Sequence, residues 1–287
     1  MPVLVSTDGS SRSLAALPHA ARLASALNEE VVLLRVLDPH KDCAGESAAT
    51  LRERVDRVAA RFVRELEDAL ARESITGTAR VITLLHGEDT YEAILASVAL
   101  ASAGLVALDT RGGGALRHLL FGSVALQVLS HARTPLLLTG PAVRPPLLVD
   151  PYHVFMTTDG SGAGDAALIE VAALCARARA RLTIWQAVEP RLVEMGASPP
   201  AVTIRARLRS LAGSLPPGVS SELVVDEVET VGEIAGAAIR AAGSRQASCI
   251  AMATHGHSRR YHSVAGSVAM GVLQHSPLPV LLTRSRD

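Results

Sequence analysis

Short apolar runs without strict alternation recur along the chain. Longer stretches separate them, in which apolar residues return every three or four positions. In the first half the runs are Val3–Val5, Val31–Leu37, Arg80–Leu85, Leu105–Leu108 and Leu136–Thr139. In the second half they are Val154–Thr158, Leu182–Val188, Leu223–Val228, Cys249–Ala253 and Val280–Thr283. Runs of this kind suit strands buried on both faces, as in a parallel sheet. Between them, Leu51, Val55, Val58, Phe62, Leu66 and Leu70 form one apolar stripe on a long helix. Ile204, Leu208, Leu211 and Leu215 form its shorter counterpart after a Pro-Pro loop. Strand and helix alternate throughout, which predicts βαβ units and an α/β fold. The expected architecture is two tandem doubly wound domains, each a five-stranded parallel sheet with helices on both faces.

An internal repeat supports the two-domain division. Residues 122–139 and 266–283 are identical at 11 of 18 positions with no gap, so one structural unit occurs twice. Residues 140–151 contain four prolines and no periodicity, and read as the linker. The predicted domains are 1–140 and 152–287. Both open on nearly the same text, Ser6-Thr7-Asp8-Gly9-Ser10 and Thr157-Thr158-Asp159-Gly160-Ser161.

Composition narrows the function classes. Formal net charge is zero and aromatic residues are 2% of the chain. Neither a phosphate-backbone binder nor a base-stacking platform is built that way, so no nucleic-acid partner is expected. Cys43, Cys175 and Cys249 are far apart with no pairing or metal spacing, which suits reduced thiols in the cytoplasm. Charged residues interrupt the alanine-rich stretches, so no membrane span is expected.

Three features of each half should meet at the carboxyl edge of its sheet, where open α/β sheets bind ligands. The first is Asp8 or Asp159, at the end of the first strand. It is either a helix N-cap or turn residue, or an acceptor for a ligand. The second is the loop after the fourth strand, Asp109-Thr110-Arg111-Gly112 or Ala253-Thr254-His255-Gly256, where glycine lets the backbone approach an anion. The third is the helix start Gly122-Ser123-Val124 or Gly266-Ser267-Val268, whose serine is either only an N-cap or part of an anion site. Repeated together in the same order, the three favour a phosphate-bearing ligand.

This pattern resembles the universal stress protein family, whose nucleotide-binding members carry G-x2-G-x9-G-[S/T]. Here Ala253 and Asp109 replace the first glycine, while Gly256, Gly266, Ser267 and Gly112, Gly122, Ser123 keep the rest. The resemblance covers both halves and implies a Rossmann-like fold and a stress-response protein that binds ATP, with or without Mg2+. It places adenine near Val36 or Ala187, adenosine against Asp8 or Asp159, and phosphates at the glycine loop and helix start. Ala253 keeps the backbone donor, whereas Asp109 brings a negative charge towards the phosphates unless Arg111 compensates. The second domain is therefore expected to bind more strongly. The resemblance also implies that the domains pair within the chain through Leu136–Thr139 and Val280–Thr283, with a homodimer as a further option. The alternative reading is an interaction module that has lost nucleotide binding in one or both domains.

Other chemistry has little support in the sequence. His255, His257 and His262 cluster, but without the carboxylate or cysteine partners of a closed metal set. His131 and His275 match in the repeat and read as helix-end residues. No nucleophile elbow and no glycine-loop lysine is present, so a binder is expected rather than an enzyme, slow ATP hydrolysis aside.

Overall fold

All ten apolar runs form strands in the computed structural model, which describes residues 1–45, 50–111, 121–254 and 266–283. The chain divides into two compact units, Met1–Thr139 and Gly140–Asp287. The first unit runs β1 (Val3–Thr7), α1 (Ala16–Leu27), β2 (Val31–Leu37), α2 (Pro39–Asp42), α3 (Leu51–Arg72), β3 (Gly77–Thr83), α4 (Thr90–Leu100), β4 (Leu105–Asp109), α5 (Ser123–His131) and β5 (Leu136–Thr139). The second repeats the series as β6 (His153–Thr157), α6 (Gly162–Ala178), β7 (Arg181–Val188), α7 (Pro190–Glu194), α8 (Ala201–Gly213), β8 (Ser221–Glu227), α9 (Ile234–Ser244), β9 (Cys249–Ala253), α10 (Ser267–His275) and β10 (Val280–Thr283). Short 3-10 turns, Ser13–Ala15 and Val231–Glu233, precede α1 and α9.

Within the first unit the strands lie in the order β3-β2-β1-β4-β5, and within the second β8-β7-β6-β9-β10. Every pairing inside a unit is parallel. The chain moves outward from β1 to β3, then returns to the other side of β1 for β4 and β5. That reversal opens a crevice at the carboxyl ends of β1 and β4, and of β6 and β9 in the second unit.

Consecutive burial explains why the strands do not alternate. Val3, Leu4 and Val5 are all buried, as is every residue of β4 and of β6. A strand in that state has both faces covered, here by the helices of a doubly wound domain. The long α3 begins with a capping box, Thr50 Oγ1 accepting from Glu53 N and Glu53 Oε2 from Thr50 N. It buries Val58, Phe62, Leu66 and Leu70, while Leu51 at the head of the predicted stripe is exposed. Ile204 and Leu208 do the same work on α8. Among the described residues no helix is long and apolar enough to cross a membrane.

Candidate functional site

The Asp-Gly-Ser turn closes each first strand by local hydrogen bonding. Asp8 Oδ1 accepts from Ser10 N at 2.9 Å and Ser13 Oγ at 2.6 Å, and Thr7 Oγ1 accepts from Gly9 N at 3.0 Å. In the second unit Asp159 Oδ1 accepts from Ser161 N at 3.0 Å and Thr158 Oγ1 from Gly160 N at 3.1 Å. The helix cap there is Ser161, whose Oγ accepts from Gly164 N. Gly9 and Gly160 have φ of +87° and +80°, which only glycine adopts without strain. The aspartates thus have the turn role, at the sheet edge where the ligand role was also expected.

A guanidinium covers this turn in both units, a feature that reading the residues alone missed. In the first unit it belongs to Arg35 of β2, and a Cβ on Gly9 would lie 2.4 Å from its Nη1. Arg35 stacks 3.3 Å from the Phe62 ring centroid and donates to Glu65 Oε2 at 2.6 Å. Beside it, a cleft of about 600 Å3 runs between α3 and the Ser13–Ala15 turn. In the second unit the position matching Arg35 is Gln186, and the guanidinium is that of Arg207 on α8. Its Nη2 donates to Gln186 Oε1 at 2.7 Å and its Nη1 to Asp165 Oδ1 at 2.5 Å. A Cβ on Gly160 would lie 3.3 Å from Arg207 Nη2.

The Gly-Ser helix starts differ from the simplest expectation. In both units the N-cap is the glycine, Gly122 or Gly266, with no side-chain cap. Ser123 and Ser267 are the first helical residues, and both are exposed. The first intrahelical bonds are Leu126 N to Gly122 O and Met270 N to Gly266 O. The N–H groups of residues 123–125 and 267–269 therefore lack acceptors within their helices, as any anion-binding helix start requires. Gly122 N donates to Thr110 O at 2.7 Å and Gly266 N to Thr254 O at 3.3 Å, which ties each helix start to the end of the fourth strand.

At that strand end the copies diverge. Thr139, which faces Asp109 across the β4–β5 register, donates from Oγ1 to Asp109 Oδ2 at 2.8 Å, and Arg111 N donates to Oδ1 at 2.9 Å. Asp109 is only 8% exposed. Burial pushes its carboxyl up to about 6, against the opposing pull of those two bonds and the Arg111 and Arg12 cations. Arg111 thus compensates only in part. In the second unit Ala253 faces Thr283, whose buried Oγ1 has no hydrogen-bond partner among the described residues. Ala253 has no positive φ, so its methyl costs no backbone strain.

Asp109 makes stability depend on pH in a definite direction. Its folded value lies above the ordinary carboxylate value near 3.9, so the folded state holds the proton more tightly. Its cost is absent well below pH 4, grows between pH 4 and 6, and is fully present above 6. The melting temperature of Asp109→Asn minus that of the parent should therefore rise between pH 4 and 7, by the equivalent of about 2 kcal/mol at most. A difference flat across that range would show that the carboxyl is not perturbed.

Several other expected residues are placed. Val36 and Ala187 are half-buried near the carboxyl ends of β2 and β7, and Val124 and Val268 are half-buried in the first helical turns. Trp185, two residues before Ala187 on the same face, was not anticipated. It is 1% exposed and donates from Nε1 to Asp226 Oδ2 at 2.8 Å. His131 and His275 each place Nδ1 against a carbonyl four residues back, Gln127 O at 2.9 Å and Gly271 O at 3.0 Å, the helix-end role expected of them. Cys43, Cys175 and Cys249 are buried thiols that form no disulfide with one another. Gly112, Gly256, His255, His257 and His262 lie outside the described residues. Among the described residues no group of three His, Cys, Asp or Glu could hold a metal ion.

The comparisons with known proteins agree with this architecture. The model of the universal stress protein family matches residues 1–140 and again 153–284. A universal stress protein of Thermus aquaticus is 32% identical over 138 residues, covering 47% of this chain and 96% of its own. A solved universal stress protein of Archaeoglobus fulgidus aligns with 100% of this chain and 97% of its own at TM-score 0.68 and 19% identity. A solved universal stress protein of Pseudomonas aeruginosa, described as such only provisionally, covers 98% of this chain and 92% of its own at TM-score 0.56 and 16% identity. With the family's domain found twice, nearly end to end, the chain belongs to the universal stress protein family.

Proposed function

We propose that this chain is a stress-response regulatory protein that binds an adenine nucleotide, ATP with or without Mg2+, at the carboxyl edge of its second unit. The observation that carries the reading is the β9–α10 junction. There, among the described residues, an uncapped helix start, an exposed Ser267 and a Thr283 hydroxyl with no hydrogen-bond partner adjoin a strand end where Ala253 stands in place of the first unit's Asp109. Asp159 would face the adenosine and Ala187 the adenine, with Ala253, Gly256, Gly266, Ser267 and Val268 around the phosphates. A universal stress protein has been solved in complex with cAMP; for this chain the reading rests on its own residues.

The corresponding set in the first unit is Asp8, Val36, Gly112, Gly122, Ser123 and Val124. Asp109 already occupies the Thr139 hydroxyl and carries negative charge at neutral pH, where like charges in a partly desolvated site repel. The interaction-module reading therefore suits the first unit best. Catalysis is not part of the proposal: the hydrogen bonds of Ser10, Ser13 and Ser161, including that of Ser13 to Asp8, hold their own turns. Nucleotide would act by favouring one conformation or partner through differential affinity. Cytoplasmic residence remains part of the proposal.

A ligand that binds only the folded state must raise its stability. Millimolar Mg-ATP should therefore raise the melting temperature, and denaturing freshly purified protein should release adenine nucleotide. Absence of both effects would overturn the reading and leave the interaction module.

A further inference from the structure

The amino edge of the second sheet, opposite the nucleotide site, carries a polar cluster that the first unit lacks. His153 opens β6, Arg181 opens β7, Glu222 is the second residue of β8, and Arg245 caps the end of α9. With Thr183 and Ser220 they line a cleft of about 320 Å3. The matching positions of the first unit, taken from the strand registers, are Pro2, Glu30, Val32 and Thr78 for His153, Arg181, Thr183 and Glu222. The fold does not need this cluster.

Its hydrogen bonds conflict at one atom. Thr183 Oγ1 donates to Glu222 Oε2 at 3.3 Å and lies 2.9 Å from His153 Nε2, so with its single proton so used it accepts from Nε2–H. The other ring nitrogen, Nδ1, is 3.1 Å from Arg245 O and 3.2 Å from Arg181 Nη2. The carbonyl can only accept and the guanidinium can only donate. In that neutral tautomer Nδ1 satisfies Arg181 and faces the carbonyl with no proton between them. Protonated, it satisfies the carbonyl and confronts a cation. His153 is 3% exposed, so no solvent shell softens the choice.

The charged groups around the ring are Arg181, Glu222 and Arg245. Two guanidiniums against one carboxylate leave a charge of +1 with the imidazole neutral. Glu222 accepts from Arg245 Nε at 3.3 Å and is half exposed, so it offsets only one of the cations. An anion in the cleft would draw Arg181 off the ring and let His153 take a proton and satisfy Arg245 O. Guanidiniums are well matched to compact oxyanions, which they bind through paired N–H donors.

We propose that this cleft is a binding site for a small tetrahedral oxyanion of the phosphate class, held by Arg181 and Arg245, and that its occupancy is coupled to a proton on His153. The site is independent of the nucleotide proposal. Burial and the two guanidiniums hold the free imidazole below its ordinary value, whereas a bound anion raises it. Affinity must then fall as pH rises, by about tenfold per pH unit at most.

The test uses full-length Gly266→Val protein, so that anions at the start of α10 do not contribute. Sulfate is the first probe, because its charge does not change between pH 5 and 8. Sulfate should raise the midpoint of the His153 Cε1–H proton resonance relative to chloride at equal ionic strength. Calorimetric affinity should fall from pH 5.5 to 7.5. Arg181→Gln, a change at an exposed side chain, should abolish both effects. Orthophosphate and glycerol 1-phosphate, run in parallel at one pH, distinguish a free-anion site from one for esters; binding of either supports the proposal. A midpoint that moves equally in sulfate and chloride, or an Arg181→Gln protein that responds like its parent, would overturn it.

Discussion

Gly266→Val is expected to lower adenine-nucleotide affinity by about 100-fold or more while leaving the fold in place. Gly266 has φ −64° and ψ 158°, an extended conformation that valine adopts readily. A Cβ there would meet nothing within 4 Å among the described residues. The glycine is therefore not explained by its own packing or backbone. The space it leaves among the described residues admits a group that approaches the N–H groups of residues 267–269 from outside. Charge-assisted hydrogen bonds are worth about 1.5–3 kcal/mol each, so displacing a phosphate from one or two of them gives that loss. The fold should lose no more than about 1 kcal/mol from the poorer cap. Calorimetry with Mg-ATP, beside a melting curve without ligand, separates the two quantities. Unchanged affinity would place the phosphates elsewhere.

Trp185→Ala should destabilise the second unit by about 3–5 kcal/mol, the range for removing a buried large aromatic. The indole is fully enclosed, lies 6.1 Å from the Phe155 ring centroid, and binds Asp226 through Nε1. Trp185→Phe keeps most of the volume but not the N–H donor, and should lose roughly 1–2 kcal/mol. Chemical denaturation followed by circular dichroism measures both without relying on the indole. Equal losses would mean that the hydrogen bond, not the packing, dominates. In the parent protein Trp185 also lies one pleat from Ala187, so its fluorescence tests the proposed adenine position.

The strands were legible because burial on both faces leaves a continuous apolar run. The outer strand of the first unit was the least legible. The run Arg80–Leu85 predicts its position, but the strand is Gly77–Thr83, because pairing with β2 from Val31↔Gly77 to Leu37↔Thr83 sets its limits. Its residues are half or fully exposed, so hydropathy carries little information about them. Similarly, Leu223–Val228 anticipates Ser221–Glu227.

At the site, residues whose role depends on backbone position could be read from the repeat: Asp8 and Asp159 at the turn, Gly122 and Gly266 at the helix start. Residues that act through a long side chain or across strands could not. Arg35 and Arg207 are not equivalent in sequence, so comparing the copies hides their shared position. Thr139 and Thr283 are identical and end the last strand of each repeat. Only the strand register reveals that one hydroxyl serves Asp109 and the other has lost that partner.

The guanidinium over the Asp-Gly-Ser turn has a consequence for how the two halves can change over generations. Recombination between duplicated segments of a gene tends to make them alike again. Here, copying β2 over β7 would set an arginine beside Arg207 above Gly160, and copying β7 over β2 would leave Glu65 facing a glutamine. The first exchange crowds two cations and the second removes the Arg35 guanidinium from over the turn. Each half thus keeps its own way of placing a guanidinium over the turn, and exchange of a single strand between the halves would disturb it.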